Sequence, residues 1–537
     1  LECDIVPDKN IIEQVMNDPQ PIPRKVPDYM RKKGGLWYWT GAMIMIAFFY
    51  EAITGLILFL YYQPSNAYVS TEGVLNIAYG SVILTTHLYG AYIMIALVYI
   101  HLLRNLFVGA YKKPREMQWL TGIVLLVLTV AVAYFGYSLT GDVLSSDATD
   151  VARGIAGGFP VIGTYLREIF MGNGQSISLF TRFEGWHIIL AGLIGITFAL
   201  HFFMAEYNTI MPDPKKTNYR APLIDKEDSS YKPWYPYNLL YMTQIALFTI
   251  ALILLIPSIL ALLPHVPALF SPFPQVSATS PLASQVPPYP PWFLLFVYKE
   301  LDFGISSTVG PFWATVIFTG LPLIYLLLLP YIDRSSTLKT TKRPIVVATG
   351  IIGIIYLIGL STWGATMPGI PVNNVVGLLF FVIPLVLVIA LVYMISGRLE
   401  SGKVKIQNAW KVYALIPFAG FIAILAGISI YAAVKQGTIY YTIATIFLLV
   451  ILGISITALY ASIYGVKKAS EQKSLSGRGY VLFGGLYGFL ALAIVSVISV
   501  IPPTTIFNQS LYGVGLGLLF LLGAAFIALY RSHAYNE

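Results

Sequence analysis

Apolar runs of close to twenty residues, separated by polar segments, recur along most of this chain. At about 1.5 Å of rise per helical residue, about 20 apolar residues cross a hydrocarbon layer of about 30 Å. The pattern predicts spans near 36–62, 79–108, 117–140 and 184–206, then near 239–263, 310–330, 345–362 and 374–396. Four more are predicted near 411–433, 437–464, 479–501 and 510–531. The expected fold is all-α, a polytopic transmembrane helical bundle of about 12 spans. It divides into an interfacial or cytoplasmic arm (1–35), a four-helix unit (36–210), a second four-helix group (211–400) and a four-helix C-terminal extension (401–537). Two long connections, 141–183 and 264–309, fall on the same face, and loops of that length in a membrane protein usually carry function or bind a partner.

Composition agrees with a lipid environment: 57% of the residues are hydrophobic and 11% charged, with a mean hydropathy of +0.73. The single cysteine, Cys3, rules out an internal disulfide or a thiolate-held cluster. A net charge of +8 does not point to nucleic acid, because the cations gather in alternate loops, among them Arg104, Lys112, Lys113 and Arg115, then Lys215, Lys216 and Arg220. The positive-inside rule then places both termini on the cytoplasmic side of the cell membrane.

Four of the six histidines lie inside apolar runs, as "HLYGAYIMIALVYIH" (87–101) and "HIILAGLIGITFALH" (187–201). Fourteen residues make nearly four helical turns, so the two histidines of each run share a face about 21 Å apart along the axis. The two runs lie on spans of the same direction, which sets His87 level with His187 and His101 level with His201. Imidazoles facing each other at one depth suit the two axial positions of a haem iron, and they put no bare charge in lipid. A hydrogen bond to a neighbouring helix explains a lone intramembrane histidine, but hardly two pairs at one spacing. Gly41 and Gly55, and Gly122 and Gly136, repeat the interval of fourteen on the first and third spans. A flat macrocycle needs such bare backbone beside it, so the four spans read as a bundle holding two stacked haems.

With these residues in view, roughly the first 400 positions resemble cytochrome b of the cytochrome bc quinol-oxidising complexes. "EAITGLILFLYYQPS", "HLLRNLFVGAYKKPRE", "WLTGIVLLVLTVAVAYFGYSL", "FPVIGTYLREIFMGNG" and "LFTRFEGWHIILAG" resemble successive segments of that family, in order. The resemblance implies an outer haem on His87 and His187, an inner haem on His101 and His201, and Arg104 near a propionate. It further implies quinol oxidation between the outer loops, with a Rieske-type iron-sulfur protein taking one electron. The long form resembles the cytochrome b-like subunits of archaeal terminal quinol oxidase supercomplexes, so terminal oxidase subunits are expected partners beside membrane lipid. Haem B and haem A take the same two imidazoles, and the sequence leaves the choice open. The C-terminal spans carry no histidine except His533 and read as a packing surface for a partner subunit.

Departures from the family direct attention to particular residues. Its Pro-Glu-Trp-Tyr motif aligns with Pro290, Pro291, Trp292 and Phe293, so the glutamate that takes the quinol proton is missing. Trp292, Phe293, Tyr298 and Glu300 are the expected outer-site residues, with Glu300 as the replacement base and Asp302, Asp142, Asp147 and Asp150 as further acids on that face. Replacing Glu300 with Gln is expected to slow haem reduction more at low pH than at high pH. The family arginine three residues before the first histidine is Leu84 here, which removes one propionate partner. On the inner side, Glu206 stands where a histidine is usual, which makes it the expected inner quinone-site residue, and a Lys-Asp pair is replaced by Asn238 and Leu239. Glu51 is a further carboxylate within a span. The alternative function is a haem-free, proton-coupled transporter whose His and Glu residues relay protons.

Overall fold

The computed structural model describes residues 26–27, 30–31, 35–172, 175–208, 231–232, 234–401, 419–420, 422, 452–453, 455 and 477–535. Fifteen α-helices are used below. α1 (Thr40–Phe59), α2 (Ala67–Leu75), α3 (Gly80–Val108), α4 (Glu116–Ser138), α5 (Val143–Gly157), α6 (Gly163–Met171) and α7 (Ser176–Tyr207) form the first part. α8 (Leu239–Leu262), α9 (Leu295–Leu301), α10 (Gly304–Val309), α11 (Pro311–Ile332), α12 (Pro344–Thr366) and α13 (Asn374–Glu400) follow. α14 (Gly477–Val500) and α15 (Ile506–Tyr535) close the chain. A short antiparallel ladder, β1 (Val26–Pro27) with β2 (Tyr231–Lys232), joins the N-terminal arm to the segment before α8.

Among the described residues, ten helices are long and apolar enough to cross a membrane, and each matches a predicted span within a few residues, apart from the start of α7. The remaining two predicted spans, near 411–433 and 437–464, fall almost entirely outside the described residues, as does most of the arm 1–35. The outer connection 141–183 is ordered as α5 and α6, and α7 begins at Ser176, earlier than hydropathy placed it. Apolar periodicity reads only the stretch in lipid, and α7 extends past it.

α1 runs antiparallel to α3, and α4 antiparallel to α7, bringing glycines of α1 and α4 onto the histidines of their partners. α3 ends where Gly109 takes a left-handed φ of 79°; its amide donates to the Leu106 carbonyl at 3.2 Å and that of Ala110 to the Asn105 carbonyl at 2.9 Å. Just beyond, Lys112 is 2.9 Å from Asp333, while Arg343 donates to the Tyr111 hydroxyl at 2.9 Å and to the Phe107 carbonyl at 2.6 Å. This buried polar cluster ties the end of α3 to the α11–α12 connection.

The last helix is built into the protein rather than left as a free surface. α15 packs antiparallel along α8: a Cβ on Gly513 would lie 2.2 Å from the Ser258 hydroxyl, and one on Gly517 would lie 2.6 Å from the Leu255 side chain. Small residues four apart allow this approach. At the outer end the fully buried Gln509 accepts from the Ser81 amide at 2.8 Å and donates to the Ile77 carbonyl at 3.1 Å. It caps α3 where Tyr79, at φ 63°, supplies no side-chain cap. At the other end the buried Arg531 donates to Gln244 at 2.8 Å and lies over the Tyr241 ring. α14 exposes Val481, Leu482, Phe489 and Leu492, and α15 exposes Phe507 and Phe526 on the side away from the contacts of Gly513 and Gly517 with α8.

Candidate functional site

The four intramembrane histidines converge as two pairs. The rings of His87 and His187 are 6.3 Å apart, centroid to centroid, and nearly perpendicular. His101 has His201 as its electrostatic neighbour. Each ring faces one glycine of the partner helix: a Cβ on Gly41 would meet His101 at 3.3 Å, on Gly55 His87 at 3.2 Å, on Gly122 His201 at 3.2 Å, and on Gly136 His187 at 2.6 Å.

The outward-facing ring nitrogens have protein partners. Nδ1 of His101 is 2.9 Å from the Thr40 hydroxyl, that of His87 2.9 Å from Thr54, and that of His201 3.1 Å from Thr121. The Thr54 and Thr121 hydroxyls already donate to backbone carbonyls of their own helices, so they accept from the imidazoles. His187 Nδ1 lies 2.9 Å from the Val132 carbonyl, which can only accept. These bonds fix the proton on Nδ1 and leave Nε2 with its lone pair, the form that binds a metal. His87 alone has a carboxyl group close by as well: Oε2 of Glu51 lies 3.0 Å from its Nδ1. On the inner side, Asn105 bridges the Arg104 guanidinium, at 2.7 Å, and Nε2 of His101, at 2.9 Å. Arg104 also lies over the Tyr38 ring at 4.7 Å. The threonines, Glu51 and Asn105 as histidine partners were not read from the sequence. Three of the four glycines do follow a threonine directly, and that Thr-Gly pair was the available signal.

The outer-loop residues divide among three neighbours. Phe293 is buried beside Ile95 and Ala133, and both it and Trp292 stack edge-on to Tyr92 of α3. Tyr298 on α9 donates to the Ala148 carbonyl of α5 at 3.1 Å. Glu300, two residues on, faces away from that contact: it is 3% exposed and accepts from the Thr319 hydroxyl of α11 at 2.9 Å. Burial pushes its carboxyl up to about 8, against a smaller opposing effect of the Thr319 bond. It is thus not an exposed loop charge.

The other acids separate by their contacts. Both oxygens of Asp142 are taken, by the Ser145 and Gln275 amides, which joins the two outer connections. Asp150 is exposed and paired with Arg153. Asp302 pairs with the buried Lys299, which also donates to the Met367 and Ile370 carbonyls. Asp147 is half-buried on α5, its carboxyl raised by partial burial and by Asp150 and Asp142. Glu206 is exposed on the last turn of α7. Asn238 is buried at the start of α8, with its Oδ1 lacking a hydrogen-bond partner.

A multi-pass membrane bundle with two levels of paired, pre-oriented imidazoles is the class of protein that the fold and site define. A family profile described as "Cytochrome b(N-terminal)/b6/petB" matches residues 92–278. The chain is 35% identical to the cytochrome b of Sulfolobus acidocaldarius over 557 aligned positions, covering 97% of each. It is also 36% identical to the cytochrome b6 of Heliobacterium mobile over 180 positions, which are 33% of this chain and 84% of that one. A solved chain described as "Hyperthermophilic respiratory Complex III" shares the fold, with a TM-score of 0.53 at 23% identity, covering 72% of this chain and 95% of that one. The chain belongs to the cytochrome b family, and membership implies haem as its cofactor.

Proposed function

We propose that this protein is the cytochrome b-like electron-transfer subunit of a quinol-oxidising respiratory complex, with one haem held by His87 and His187 and another by His101 and His201. The observation that carries this reading is the ring separation of 6.3 Å, with a bare glycine beside each histidine. Two metal–nitrogen bonds of about 2 Å, plus about 1.1 Å from each nitrogen to its ring centroid, amount to about 6.2 Å. Two imidazoles leave four coordination positions to fill, and among the described residues no third His, Cys, Asp or Glu converges on them. A porphyrin would fill those four, and the glycines beside the histidines would leave it room. When bound, the haems supply one-electron carriers at two depths of the membrane.

The protein's own groups then have distinct tasks. Quinol bound between the outer loops gives up two electrons and two protons; one electron goes to a Rieske-type iron-sulfur partner and the other inward along the bundle. Trp292 and Phe293, packed on Tyr92, form an apolar wall, and Tyr298 is held on α5 as a positioning group. Glu300 accepts a quinol proton, and Asp147 is the next candidate because its half-buried carboxyl lies on α5, the helix that holds Tyr298. Arg104, one turn beyond His101 and bonded to Asn105, would hold a haem propionate, and Glu206 would serve an inner quinone site near the end of α7. Basic loops place both termini on the cytoplasmic side of the cell membrane, with terminal oxidase subunits as further partners. A reduced-minus-oxidised spectrum of the purified chain tests the reading. A split α band supports it, whereas no haem absorbance leaves the proton-coupled transporter; pyridine haemochrome analysis separates haem B from haem A.

A further inference from the structure

Among the four histidines, the Nδ1 partners are unequal. His101 and His201 have threonine hydroxyls and His187 a backbone carbonyl, all neutral. His87 has the Thr54 hydroxyl at 2.9 Å and, in addition, Oε2 of Glu51 at 3.0 Å. The other Glu51 oxygen, Oε1, is buried and has no hydrogen-bond partner. Gly90, one turn after His87, makes the space for it: a Cβ there would lie 2.0 Å from Oε1 and 3.1 Å from Cδ. A carboxyl group is thus housed against one ligand of one pair.

A ligand imidazole that donates its Nδ1 proton to a strong acceptor gains basicity and donates more electron density to its metal, which favours the oxidised state. The Glu51 carboxyl oxygen, 3.0 Å from Nδ1, offers that proton an acceptor beyond the Thr54 hydroxyl. We infer that Glu51 is a positioning and tuning residue for His87, which sets the reduction potential of the outer haem below the value its two imidazoles alone would give, and that Gly90 exists to admit it. The inference rests on the bis-histidine reading above. It gives the bundle an internal asymmetry: the carboxyl acts at the outer level only, so an electron entering from the outer side moves toward the inner pair.

Redox titration of the purified holoprotein, following the two α-band components separately, tests this. Glu51→Gln keeps shape and a weaker acceptor, and Glu51→Leu removes the acceptor. The outer midpoint should rise in the Gln variant and rise further in the Leu variant, with the inner midpoint unchanged as internal control. Gly90→Ala, which displaces the carboxyl without removing it, should move the outer midpoint in the same direction. Unchanged midpoints, or equal shifts of both haems, would overturn the inference. Should Glu51→Leu fail to retain the outer haem, Glu51→Gln and Gly90→Ala carry the test. Absence of any α band in the wild-type protein would instead sink the haem reading itself, so the two failures are distinguishable.

Discussion

Replacing Glu300 with Gln removes a base that is buried, bonded to Thr319 and held near pH 8. Below that value the ionised fraction falls about tenfold per pH unit, so about half the carboxyl is ionised at about pH 8 and about 1% at about pH 6. A positioned general base contributes about 100-fold or more. Taking about 100-fold for the ionised form, the wild-type rate of quinol-driven haem reduction should exceed that of Glu300→Gln by about fifty-fold at about pH 8 and by only about two-fold at about pH 6. This reverses the trend expected from the sequence, because burial keeps Glu300 protonated at low pH, where it cannot accept the quinol proton. The assay is stopped-flow reduction of the haems by quinol across that range, at matched haem content. Parallel pH profiles for the two proteins would refute the role of Glu300, and the same series on Asp147→Asn would follow. The thermal midpoint gives a separate check. Between the usual carboxylate value of 4.5 and about 8, the folded state keeps a proton that the unfolded state has lost. Stability should therefore fall as pH rises through that window, and the Gln variant should lack that slope.

Three further outcomes are expected. His87→Leu or His187→Leu should remove the outer α-band component and spare the inner, because the second pair lies about 21 Å away along the helices; equal loss of both would contradict the pairing by depth. Gly136→Ala forces a contact of 2.6 Å on the His187 ring, whereas Gly122→Ala makes one of 3.2 Å with His201, so haem content should fall more at the outer level in the first than at the inner level in the second. Gln509→Ala leaves the buried Ser81 amide without its side-chain acceptor and should destabilise the chain by about 1–3 kcal/mol, measured as a lower thermal midpoint with both α-band components retained; an unchanged midpoint would show that α15 does not brace α3.

The sequence by itself determined the membrane class, nearly all the described spans, the two histidine pairs and their four glycines. Each follows from a local rule: a helix in lipid must be long and apolar, and groups fourteen residues apart return to one face. The same rules were silent wherever a partner lies far along the chain. That Gln509 caps the helix bearing His87, that Glu51 leans on that histidine through a gap left by Gly90, and that Glu300 turns from Tyr298 toward Thr319 are contacts between separate elements. Sequence could nominate Glu300 as an acid on the right face but not its protonation, because the shift comes from burial, and burial is a property of what packs around a residue. The C-terminal helix shows the same division. Its apolar length predicted a span, while its place against α8 was decided by small residues and two buried polar side chains whose counterparts lie more than 250 residues earlier.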